Sequence, residues 1–65
     1  GDFEKAGVAY QRALRILRHN LRESAETYEI ATQNYADLLE ASGKRHKAER
    51  LRHQTARHLE KVRRR

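Results

Sequence analysis

Apolar side chains recur in this chain at intervals of three and four. Phe3, Ala6, Tyr10, Ala13, Leu14, Leu17 and Leu21 make one series, and Tyr28, Ala31, Tyr35, Leu38, Leu39 and Ser42 a second. Ala48, Leu51, Thr55, Leu59 and Val62 make a third, narrower one. That spacing follows the turn of an α-helix and draws each series into one stripe that has to be covered. The chain therefore reads as all-α: a single unit over residues 1–65 with three antiparallel helices at about 2–20, 25–42 and 44–63.

The joints are marked unequally. Gly43 directly follows the last apolar turn of the second stretch, where glycine accepts the left-handed conformation that closes a helix, so a tight antiparallel turn is predicted there. The first joint, His19 to Ala25, holds neither glycine nor proline. Asn20 and Ser24 are its only stop and start signals, with Ser24 as a candidate cap and Glu26 and Glu29 suited to the positive end of the second helix. This stretch can form a loop, or straighten into one long helix that exchanges a hairpin with a second copy. For packing between helices, Ala6 and Ala13 are small enough for close approach and Tyr10 fills the space between them. Tyr35, Leu39 and Ala48 take the matching places on the second and third helices.

Gly1-Asp2-Phe3-Glu4-Lys5-Ala6 and Gly43-Lys44-Arg45-His46-Lys47-Ala48 share glycine, lysine and alanine at equal offsets, 42 residues apart, with Arg15 matching Arg57 and Leu17 matching Leu59. A period of that length built from helices points to an α-solenoid. Gly1, Ala6, Tyr10 and Ala13 stand at the spacing of the second helix of a tetratricopeptide repeat, which residues 1–16 resemble. Asn34-Tyr35-Ala36-Asp37-Leu38-Leu39 followed by Ser42-Gly43 resembles the first helix of the next repeat, in the form found in the 42-residue repeats of kinesin light chains. Past residue 43 the likeness thins, because Arg52 and Thr55 replace an aromatic and an alanine. The resemblance implies a solenoid fragment of one and a half repeats. A chain without methionine that starts at a turn glycine reads as an excerpt of a longer protein, and apolar faces cut off from their neighbours favour self-association, at least to a dimer.

Charge is sorted along the chain. Residues 1–22 carry net +3, residues 23–42 net −5 and residues 43–65 net +8, for +6 overall. An acidic helix between two basic ones attracts both. The basic end Lys61-Val62-Arg63-Arg64-Arg65 and the face bearing Arg45, Arg52 and Arg63 carry an alternative reading, a module that contacts nucleic acid or anionic membrane through residues 44–65. No aromatic residue lies in that segment to stack a base. With no cysteine and no apolar run long enough for a membrane span or signal peptide, disulfides, thiolate metal sites and a membrane span are excluded, and an intracellular, cytoplasmic setting is the expectation.

Chemistry has little to stand on. His46, His53 and His58 are seven and five residues apart, whereas ligand pairs on a helix need three or four, and His19 is isolated. Asp37 and Glu40 share a face, but no apolar pocket or nucleophile is apparent near them. No metal, no cofactor and no catalysis are expected. The resemblance instead implies protein binding, since the first helix of each such repeat lines a concave surface that holds a protein or peptide partner. Carried over to this chain, Asn34 is the groove asparagine, with Gln33, Asp37 and Glu40 beside it. A carboxamide both donates and accepts, and so pairs with any peptide bond. The acidic pair disfavours the subtype that clamps a terminal carboxylate and favours a basic or neutral segment.

Overall fold

The computed structural model describes residues 1–64; Arg65, the last residue of the basic end, lies outside the described residues. The fold is all-α. Three helices follow one another as α1 (Asp2–His19), α2 (Leu21–Ala41) and α3 (Arg45–Arg63). α1 and α3 both run antiparallel to α2 and pack on it, while their own backbones do not approach one another. The radius of gyration is 11.8 Å, above the roughly 10.7 Å of a compact domain of this length. The excess reflects an open arrangement in which the middle helix alone is covered from two sides.

Two clusters hold the helices together. Leu14 from α1, Tyr28 from α2 and Leu59 from α3 are each at most 4% exposed, and Leu17, Leu21, Ala25, Ala31, Tyr35 and Leu51 close around them. Burying side chains of this kind contributes about 1.5–3 kcal/mol each. Nearer the second turn, Ala36 and Ala48 are fully buried beside Leu39. Two alanines facing each other let the backbones of α2 and α3 come close, as the small residues in those places require. Tyr10 and Tyr35, both half-buried, stack with ring centroids 5.5 Å apart and tie α1 to α2. Ala6 and Ala13 are half-buried and belong to neither cluster; on their side α1 stays open, and Ile16 is 70% exposed.

The second turn is closed by Gly43, whose φ is +83°. Its backbone N–H donates to Glu40 O at 3.0 Å, and that of Lys44 to Leu39 O at 2.7 Å, the paired bonds by which a left-handed residue satisfies the last carbonyls of a helix. The first joint is neither the loop nor the straight helix that the sequence allows. Asn20 alone leaves helical geometry between α1 and α2, at φ −129° and ψ 46°, and the chain resumes as helix at Leu21. A second departure follows at Ser24, φ −112° and ψ 17°. Its hydroxyl donates to Leu17 O at 2.9 Å and to Asn20 O at 2.7 Å. Ser24 therefore does not cap the start of α2; it satisfies carbonyls at the end of α1. With neither proline nor glycine in the stretch, a short polar side chain adds a further bond to each of two carbonyls at the bend, which also accept from backbone N–H groups.

Candidate functional site

α2 has one free side. Ile30, Asn34 and Asp37 follow one another at intervals of four and three on it, all exposed, and Ile30 keeps 54% of its surface in solvent. The opposite side carries Tyr28, Thr32, Ala36 and Leu39 into the core. Of the four residues expected to meet a partner, Asn34 and Asp37 lie on this ridge. Gln33 and Glu40 turn toward α3: Gln33 helps line a pocket of about 190 Å³ between α2 and α3, with Thr32, Arg52, Thr55 and Leu59. Thr55 Oγ1 is buried there without a hydrogen-bond partner among the described residues.

The acidic pair is not free. Arg52 of α3 reaches across the helix interface to Glu40 and to Asp37 Oδ1, the latter at 3.3 Å. Arg63 pairs in the same way with Glu29 at 3.1 Å, and Arg45 with Glu49 of its own helix at 3.7 Å. The face bearing Arg45, Arg52 and Arg63, read from sequence as a contact for nucleic acid or lipid, is thus largely neutralised within the chain. Helical periodicity put the three arginines on one face but could not say that the carboxylates of α2 lie opposite. Among the described residues, Lys44 just before α3 and Lys47, Arg50, Arg57 and Lys61 within it are left without an ion-pair partner.

A feature that sequence reasoning missed joins α2 to α3 on the other side. The Tyr28 hydroxyl and His58 Nδ1 are 3.1 Å apart. Burial first, then the positive charges of Arg18, Lys61 and Arg57, hold the His58 imidazole below its ordinary value. Arg18 belongs to α1, so cations of the two outer helices converge on the same flank. The two partners are 30 residues apart in sequence, and nothing local marks the pair.

Among the described residues, no group of three or more histidine, aspartate or glutamate side chains is placed to hold a metal ion, and no helix is long and apolar enough to cross a membrane. Comparison with protein-family models, with curated proteins and with solved structures gives no match.

Proposed function

We propose that this chain is a non-catalytic interaction scaffold of tetratricopeptide-like design, a fragment of a helical repeat array that takes a protein or peptide partner on the free side of α2. The observation that carries the reading is the ridge of Ile30, Asn34 and Asp37: a half-exposed apolar residue beside a carboxamide and a carboxylate, on a helix anchored from two sides. Such a helix presents its side chains rigidly, which lowers the ordering cost of binding. Asn34 supplies a donor and an acceptor to a partner's backbone, and Ile30 the apolar contact. Because Arg52 already occupies Asp37 and Glu40, the ridge offers less negative charge than its sequence suggests. Gln33, at the edge of the α2–α3 pocket, extends the surface toward a partner side chain. The open side of α1, with Ala6, Ala13 and Ile16, favours self-association to a dimer.

Partners retained by the immobilised chain but lost with Asn34→Ala and Ile30→Ser would be identified and titrated by calorimetry. Asn34→Ala is expected to weaken such a complex by about 1–3 kcal/mol with helicity unchanged. Equal affinity for both variants and the parent sequence would remove the ridge as the contact. The alternative, nucleic acid or anionic membrane held through residues 44–65, has the unpaired cations of α3 on its side. It entails a steep loss of affinity with salt, whereas the ridge does not.

A further inference from the structure

On the side opposite the ridge, α1 and α3 stand apart and leave a cleft floored by α2. Two cavities of about 400 Å³ and about 240 Å³ lie in it. They share Gln11, Tyr35, Leu39 and Lys47 as lining, so they form one continuous groove. Its α1 wall includes Phe3 and Val8, which are 51% and 50% exposed. Gly7 lies between them, leaving the Tyr35 ring edge open to the groove, since a Cβ there would sit 3.7 Å from it. The α3 wall carries Lys44, Lys47 and Arg50, none with an ion-pair partner among the described residues.

We propose that this cleft is the docking groove for an acidic amphipathic helix supplied by a partner protein. Apolar floor and wall together with an uncompensated cationic rim call for an occupant with an apolar stripe and carboxylates beside it. α3 itself shows the contrast. Its arginines that face α2 are matched by Glu29, Asp37 and Glu40, while among the described residues Lys44, Lys47 and Arg50 at the groove form no ion pair, the Glu4 carboxylate of the α1 wall being paired with the N-terminal amine. A helix laid between α1 and α3 would cover Phe3 and Val8 and complete a second layer over α2.

Nucleic acid fits this groove less well. One face of Tyr35 is already stacked on Tyr10, which leaves no free ring pair to sandwich a base. A flat membrane surface cannot reach a recessed floor. The α2 ridge of a second copy fits the groove poorly, since Ile30 is its one large exposed apolar residue and its Asp37 is already paired with Arg52.

The test uses a synthetic helical peptide of about 18 residues, or about 27 Å. Leucines at i, i+3, i+4 and i+7 spacing stand among glutamates, and a control of equal composition has its leucines scattered around the helix. Titrated at physiological salt, the amphipathic peptide is expected to bind at least about tenfold more tightly than the scrambled one. The double variant Lys47→Glu/Arg50→Glu should lose about tenfold or more in affinity and Val8→Ser severalfold, while Asn34→Ala changes nothing; circular dichroism checks that each stays helical. Equal binding of the two peptides would reduce the effect to charge attraction and overturn the proposal. So would tighter binding of a single-stranded RNA oligomer or of phosphatidylserine vesicles, abolished by the same charge reversals, or a self-association that the groove variants dissolve. Loss of peptide binding with Asn34→Ala but not with the groove variants would place the peptide on the ridge and sink the groove.

Discussion

Tyr28 is the residue on which the three helices meet, and its hydroxyl makes a polar link between α2 and α3, to His58 Nδ1 at 3.1 Å. The native state holds the His58 imidazole below its ordinary value of about 6.5, by burial and by the positive charges of Arg18, Lys61 and Arg57. A group whose value is depressed on folding stabilises the native state in full only above its unfolded value. This contribution is lost as pH falls through 6.5 and on through the folded value, because protonation then favours the unfolded chain. Melting temperatures of the parent chain should therefore drop more between about pH 7.5 and 5.5 than those of His58→Gln, whose amide cannot titrate. Parallel curves would contradict this. Tyr28→Phe, which keeps the ring and removes the hydroxyl, should cost about 0.5–1.5 kcal/mol at neutral pH. The place of Tyr28 in an apolar stripe was legible in the sequence. Its histidine was not, since a hydrogen bond between different helices leaves no periodic trace.

At the scale of the elements, helical spacing alone carried the class of the fold, and Gly43 carried the second turn, because only glycine takes φ +83° without a side-chain penalty. The first turn was open in sequence for a physical reason. Residues 19–25 can all be helical, and at the bend the Ser24 hydroxyl bonds the carbonyls of Asn20 and Leu17, a side-chain-to-backbone choice that neither propensity nor periodicity records. Gly43 in the turn and Gly7 inside α1 give opposite expectations. Gly43→Ala should destabilise by about 1–2 kcal/mol, since it forces a Cβ into left-handed backbone. Gly7→Ala should stabilise by about 0.5–1 kcal/mol, since Gly7 sits inside α1 and the added Cβ would meet only Tyr35 at ordinary contact distance. Denaturant midpoints measure both, and a loss on Gly7→Ala would mean that α1 and α2 lie closer at this point than described.

At the scale of the whole molecule, sorted charge and sorted burial coincide. The carboxylates of α2 are drawn to the arginines of α3 on one flank, although exposed pairs of this kind contribute only about 0.2–1 kcal/mol each. On the opposite flank Lys47 and Arg50 have no ion-pair partner among the described residues. The acidic character of the second helix could be read from sequence; which of its acids remain available could not, because that depends on the register between α2 and α3. Asn34 was legible as an exposed polar position on α2, while the cleft between α1 and α3 was invisible, since it exists only where two helices distant in sequence flank a third. Both proposed surfaces, ridge and cleft, require that α1 and α3 of one chain lie on that chain's own α2. The direct measurement is the set of nuclear Overhauser contacts from the Tyr28 ring to the methyl groups of Leu14 and Leu59, in a mixture of isotope-labelled and unlabelled protein. Contacts to both leucines within single chains are predicted. A Tyr28–Leu14 contact that is missing, or found only between different chains, would mean that α1 and α2 run on as one helix and exchange partners, and would contradict the fold on which both surfaces rest.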